Sequence, residues 1–130
     1  MARPPAKELT DRELQVMQLF WKNGEMTAAE ARDALAAASL DLAYTTVATL
    51  VKILVDKEFL QQTNAERPYR FVPVRSYEDV SGRMLGDVLE RLFDGSRELL
   101  LTRLMEQKRL TAKERAFLEQ LLSEQKEARR

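Results

Sequence analysis

Neither cysteine nor histidine occurs among the 130 residues of this chain. Without cysteine there are no disulfides, thiolate metal sites or cysteine nucleophiles, and without histidine the commonest general base and transition-metal ligand are missing. Glycine is scarce: Gly24, Gly82, Gly86 and Gly95 are the only four, too scattered for a phosphate-cradling loop. No run approaches the roughly 18 apolar residues of a membrane span. Met1 to Lys7 carries Arg3, Pro4, Pro5 and Lys7 and lacks the apolar centre of a signal peptide. A cytoplasmic protein without membrane insertion is therefore expected. No excess of one charge exists either, with 21 basic against 21 acidic residues. The carboxylates are spread at spacings that suit solvated helix faces, with Lys and Arg interleaved. The expectation is a protein that is not an enzyme and uses no cofactor or metal.

What is present is a 45% hydrophobic content arranged in periodic segments, enough for a packed core. Helix starts are marked by capping boxes, in which a Ser or Thr precedes an acidic residue by three positions. Thr10 with Glu13 opens a first helix whose Leu14, Met17, Phe20 and Trp21 form an apolar stripe before Gly24 ends it. Thr27 with Glu30 opens an alanine-rich second helix through Ala38, and Glu25 to Thr27 is long enough for one minor strand. A loop from Ser39 to Leu42 leads into a third helix.

The third helix and the hairpin after it carry the functional signal. Successive residues about 100° apart from Tyr44 place Val47, Leu50, Val51, Leu54 and Val55 on one apolar arc with Ile53 at its edge. The other arc holds Thr45, Ala48, Thr49, Lys52 and Asp56, none of them bulky, so this face can lie close against another surface. In a major groove, hydroxyls reach bases or phosphate, methyls touch thymine and a lysine reaches guanine or phosphate. Thr46, in the first turn, fits either a phosphate contact or a helix cap. Next, Phe59 to Thr63 and Tyr69 to Val74 read as two strands joined by Asn64, Ala65, Glu66 and Arg67, with Asn64 suited to a left-handed turn and Pro68 and Pro73 marking edge strands. Tyr69 and Phe71 alternate with Arg70 and Val72, which packs an aromatic face inward and leaves Arg67 and Arg70 free to reach a DNA backbone. Residues 44 to 75 hold five basic groups (Lys52, Lys57, Arg67, Arg70, Arg75) against three acidic (Asp56, Glu58, Glu66), a local net of +2. Helix, short strand, helix, helix, strand, strand is the order of a winged helix-turn-helix. The same residues also fit a solvated amphipathic helix with a hairpin, or a winged helix used only for protein contacts.

A second region begins at Ser76, which with Asp79 again resembles a capping box. Its three helices carry Val80, Met84, Leu85, Val88, Leu89 and Leu92; then Leu99, Leu100, Leu101, Leu104 and Met105; then, after Thr111 with Glu114, Phe117, Leu118, Leu121 and Leu122. About 55 residues are too few for a self-sufficient core, yet these side chains are too many to leave wet. A homodimer sharing one core resolves this. Gly82 and Gly86, four apart on one face, fit either close helix approach or a local bend.

The runs LTDRELQVMQLFWKNGEMTAAEARDALA, LAYTTVATLVKILVDKEFLQ, RPYRFVPV and LFDGSRELLLTRLMEQKRLTAKE resemble the BlaI/MecI penicillinase-repressor family over nearly the whole chain, from about Leu9 to Leu122. The resemblance implies a mainly α fold with a small β-hairpin. An N-terminal winged-helix DNA-binding domain would span residues 1–75, and a C-terminal three-helix dimerisation region residues 76–130. It implies a dimeric transcriptional repressor of double-stranded operator DNA that reads palindromic half-sites, with Tyr44 to Lys57 as recognition helix. Contacts fall on Thr45, Thr46, Ala48 and Thr49, joined by Lys52 from the helical arc, and on the wing around Arg67 and Arg70. Dimerisation falls on Val80, Met84, Leu85, Val88, Leu92, Leu99, Leu104, Phe117 and Leu121. A regulatory protease linked to a membrane sensor is the partner implied for induction, but the family's Asn-Phe cleavage bond aligns near Thr102 and Arg103 and is absent. The cysteine cluster of a copper-responsive branch is absent too. Ala48 stands where some members carry a basic residue, Ile53 where arginine is frequent, and Glu58 where the family has glycine.

Overall fold

In the computed structural model, which describes residues 8–128, six helices and three short strands succeed one another: α1 (Asp11–Asn23), β1 (Met26–Thr27), α2 (Ala28–Ala37), α3 (Tyr44–Asp56), β2 (Leu60–Gln62), β3 (Arg70–Pro73), α4 (Tyr77–Leu92), α5 (Arg97–Gln107) and α6 (Ala112–Ala128). Met1 to Lys7, where a signal peptide would lie, falls outside the described residues. Among those described, no helix is long and apolar enough to cross a membrane.

Local chemistry accounts for the helix ends. The Thr10 hydroxyl accepts the Glu13 N–H at 3.2 Å while the Glu13 carboxylate accepts the Thr10 N–H at 3.1 Å. Thr27 and Glu30 repeat the arrangement at 3.1 and 2.9 Å. Each box satisfies two backbone donors that a helix start leaves orphaned. Gly24 ends α1 at φ 80°, a left-handed conformation that costs glycine nothing, and its N–H returns to the Phe20 carbonyl at 2.7 Å. After α3 the same left-handed step falls on Glu58, at φ 67°.

The three strands form one antiparallel sheet in the order β1-β3-β2, with Met26 opposite Phe71 and Leu60 opposite Pro73. This corrects the expectation that Pro73 marks an edge strand: β3 is central. Proline is tolerated because β1 pairs only with Arg70 and Phe71, leaving no β1 residue opposite Pro73 to need its missing N–H. Asn64 is a second correction, since it is not among the residues of positive φ.

The core joins Val16, Met17 and Phe20 of α1 to Ala31 and Leu35 of α2 and Val47, Val51 and Leu54 of α3, closed by Met26, Phe59 and Leu60. Each large side chain so buried contributes about 1.5–3 kcal/mol of transfer free energy. Leu14 and Trp21 are half-buried beside the α1 stripe rather than central to it. Trp21 nevertheless has a specific task. Its indole Nε1 donates to the Arg75 carbonyl at 2.8 Å, and its ring meets Tyr77 edge-on at 5.5 Å. At the other end of α1, buried Glu13 receives Lys57 Nζ at 2.6 and 3.1 Å, tying α1 to the end of α3.

The chain divides into two compact units, residues 1–82 and 83–130. The start of α4 therefore belongs with the first unit, and Val80, only 6% exposed, packs into its core. Val80 is thus a correction to the dimerisation set, because a side chain buried within its own unit has no surface to offer a partner. In the second unit no described residue is buried. A turn at Asp94 (φ 50°) and Gly95 (φ 79°) separates α4 from α5. Beside Gly82 and Gly86 a Cβ would meet nothing within 4 Å, so no close approach among the described residues requires either.

Candidate nucleic-acid interface

Because Val47, Val51 and Leu54 point inward, α3 must present the opposite face to solvent; Thr45, Thr49, Lys52 and Asp56 are accessible there with Ala48 half-buried beside them, and Thr46 is exposed at the edge of the apolar arc. The Thr49 hydroxyl donates to the Thr45 carbonyl at 2.9 Å, which aims its lone pairs outward. The N-cap is Ala43, which makes no side-chain hydrogen bond. Thr46 sits in the helix and does not cap it, so the cap alternative fails. Every other described helix starts behind a Ser or Thr hydroxyl that accepts a backbone N–H: Thr10, Thr27, Ser76, Ser96 and Thr111. The first turn of α3 leaves its N–H groups without such a partner, an arrangement suited to a phosphate.

The wing is shaped by Asn64. Its amide donates to the Glu66 and Pro68 carbonyls at 2.8 and 3.0 Å and its oxygen accepts the Arg70 N–H at 2.7 Å, closing the β2–β3 connection around one side chain. The residue type was legible as a turn former, but the mechanism is side-chain bonding, not a left-handed backbone. Arg67 is exposed at the tip, its guanidinium 5.6 Å from the centre of the Tyr69 ring. A stacked guanidinium is held in place yet keeps its N–H edges outward.

Arg70 behaves otherwise, and the expectation that it is free is corrected. Its Nε lies 3.0 Å from Glu25 and its Nη1 3.2 Å from Glu30. The Thr63 hydroxyl and then the Arg70 guanidinium hold the Glu25 carboxyl below its ordinary range. Glu30 is lowered first by the Thr27 backbone N–H and hydroxyl, with Arg70 adding to them. The Arg70 guanidinium is correspondingly pushed up by Glu25 and Glu30. Lys57 is likewise engaged by Glu13, and Arg75 stacks 4.8 Å from the centre of the Phe59 ring. Of the five local cations, Lys52 and Arg67 are the two that neither a carboxylate nor a core ring holds among the described residues. The local excess of +2 thus becomes two cations in defined places, one on α3 and one on the wing.

Between α3, the start of α2 and the wing opens a cleft of about 910 Å³, lined by Tyr44, Ala48 and Lys52 on one side and Gln62, Arg67 and Tyr69 on the other. A profile of the penicillinase repressor family matches residues 9–124. The chain belongs to the penicillinase repressor family. It is 34% identical over 118 residues to the transcriptional regulator BlaI of Mycobacterium tuberculosis, covering 89% of this chain and 83% of that one. These are transcriptional regulators, not enzymes. Among solved structures, a MarR family protein from Bacillus stearothermophilus shares the fold over 94% of this chain and 76% of its own, with a TM-score of 0.51 at 16% identity. The DNA-binding domain of the repressor BlaI is matched over 61% of this chain and 93% of that domain, with a TM-score of 0.49 at 25% identity.

Within this family member, the tertiary structure sets Lys52 across the cleft from Arg67, leaves Thr45, Thr46 and Thr49 exposed on α3 outside the cleft lining, and pairs Arg70 with Glu25 and Glu30 at the surface. Sequence reasoning missed Tyr44, Gln62 and Tyr69 as lining residues. Nothing in the sequence pointed to Tyr44: the helical period sets it between Val51 and Val55 on the apolar arc, yet it is 48% exposed.

Proposed function

We propose that this repressor acts as a homodimer that occludes a palindromic operator, each copy laying α3 in a major groove while Arg67 of the wing meets the flanking phosphates. The observation that carries this reading is the α3 face itself: small hydroxyl and methyl side chains, one exposed lysine and a first turn without a side-chain cap, flanked by a wing whose tip arginine is outward. With Ala48 in place of a longer donor, readout rests on Thr45, Thr46, Thr49 and Lys52, and one copy makes too few contacts to hold an operator alone. Dimerisation is supported by the second unit, where Met84, Leu85, Val88, Leu92, Leu99, Leu104, Phe117 and Leu121 are all exposed and no described residue is buried. Such a set of large apolar side chains is far more than a stable monomeric surface carries.

Loss of the dimer releases the operator. A regulatory protease acting at Thr102 and Arg103 would meet α5 in helical form, with the Thr102 hydroxyl bonded to the Glu98 carbonyl at 2.8 Å, so cleavage there requires the helix to unwind. The test is a titration of a palindromic fragment from its own upstream region at two salt concentrations. Tight binding that weakens steeply with salt, by about 0.9 logarithmic units per phosphate contacted for each tenfold rise in salt, and that Lys52→Ala weakens, is expected. Equal affinity for random DNA would remove the claim of sequence specificity. Because only two of the five cations are disengaged, a protein-docking winged helix is the second reading, and it predicts no shift of that fragment at all.

A further inference from the structure

The pairing of Arg70 points to a division of labour in the wing that rests on the DNA-binding reading. Arg67 and Arg70 are both wing arginines in sequence and both reach solvent, yet only Arg70 is paired with carboxylates. Arg67 is exposed at the tip beside Tyr69. Arg70 sits at the base of the wing, opposite Thr27 in the sheet, and forks between Glu25 just before β1 and Glu30 in the first turn of α2. Its backbone is held as well, since its N–H donates to Asn64 Oδ1 at 2.7 Å. Glu30 cannot simply turn away, because the same carboxylate closes the capping box on the Thr27 N–H at 2.9 Å.

We infer that Arg70 is an internal counter-ion and not a DNA contact: it holds Glu25 and Glu30 so that two carboxylates next to the DNA-binding cleft do not repel the phosphate backbone. The cleft brings this about geometrically, since Thr27 and Ala28, which lie between Glu25 and Glu30 in sequence, line it together with Lys52 and Arg67. Charges this close to a phosphate backbone lie within a Debye length of about 8–10 Å, so an unmatched carboxylate there is felt by several phosphates at once. Arg70 is in this sense a positioning and charge-balancing residue, while Arg67 carries the contact.

The experiment couples side chains to individual phosphates. A duplex selected by the parent protein from a random-sequence pool is resynthesised with single methylphosphonate substitutions, and affinities are measured for the parent, Arg67→Ala, Arg70→Ala and Arg70→Ala/Glu25→Gln/Glu30→Gln. Arg67→Ala is expected to make the protein indifferent to one substituted position. Arg70→Ala is expected to weaken every duplex alike, by about tenfold at low salt, and the triple variant to bring affinity back to within about threefold of the parent. Glutamine keeps the acceptor that the Thr27 capping box requires, and a thermal unfolding curve for each variant verifies folding. Coupling of Arg70→Ala to any single phosphate by more than about fivefold, or no recovery in the triple variant, overturns the inference. A parent that selects no duplex overturns the DNA-binding reading itself and this inference with it, whereas the two preceding outcomes leave that reading standing.

Discussion

Replacing Lys57 with methionine, which keeps the length of the side chain and removes its charge, should destabilise the first unit by about 2 kcal/mol at neutral pH. Glu13 is 3% exposed, and its carboxylate receives Lys57 Nζ at 2.6 and 3.1 Å. Stripping one partner from a fully buried pair costs about 3–5 kcal/mol, because the charge left behind has neither water nor counter-ion. The Lys57 side chain retains 27% exposure and the Glu13 carboxylate keeps its bond from the Thr10 N–H, so a smaller figure applies. The pH dependence gives a second check. In the parent, burial raises the Glu13 carboxyl, but the Lys57 hydrogen bond, the Thr10 N–H, the Lys57 charge and the Thr10 hydroxyl together bring it below its ordinary value. A lowered folded-state pKa contributes stability above the unfolded value of about 4.3 and loses it as pH falls through the lower folded value. In Lys57→Met the lowering by the Lys57 hydrogen bond and charge is gone while burial remains, so the carboxyl rises relative to the parent and the deficit shrinks as acid protonates it. Urea unfolding at pH 7 and pH 4 measures both. A loss under about 0.5 kcal/mol at pH 7, or one that does not shrink at pH 4, would show that the pair does not hold the unit together in this way.

Three further outcomes are expected from particular residues. Glu58→Gly should raise stability by about 0.5–1 kcal/mol in thermal unfolding, since Glu58 holds a φ of 67° that costs a side-chain-bearing residue and not glycine. Asn64→Ala removes the side chain that bonds Glu66, Pro68 and Arg70, and it should weaken operator binding several-fold with little loss of stability, because the wing is exposed and carries little of the core; a gel titration beside a melting curve separates the two. Leu85→Asp should convert a dimer to a monomer in sedimentation, and a monomeric parent protein would defeat the shared-core argument.

The electrostatics show why counting charges along a segment is a weak guide to a DNA-binding surface. Residues 44 to 75 hold five cations against three anions, but the carboxylates that matter come from outside that window: Glu13 for Lys57, Glu25 and Glu30 for Arg70. Each of these pairs joins residues at least 40 positions apart in the chain. A window along the chain cannot see them.

Features that depend on neighbours a few residues away were legible from the chain alone. Helix starts at Thr10, Thr27, Ser76 and Thr111 rest on hydroxyls that reach a backbone N–H three positions on, the left-handed stop at Gly24 on the missing Cβ, and the bare face of α3 on a 3.6-residue period. Everything that rests on long-range register emerged only on folding. Tertiary packing made β3 central while excusing Pro73, drew Val80 into the first unit, gave Trp21 the Arg75 carbonyl, and turned Arg70 to face Glu25 and Glu30 while leaving Arg67 outward. Period and capping are properties of a single segment. Which of two arginines, three positions apart, is left with its charge unmatched is a property of the segments folded against them.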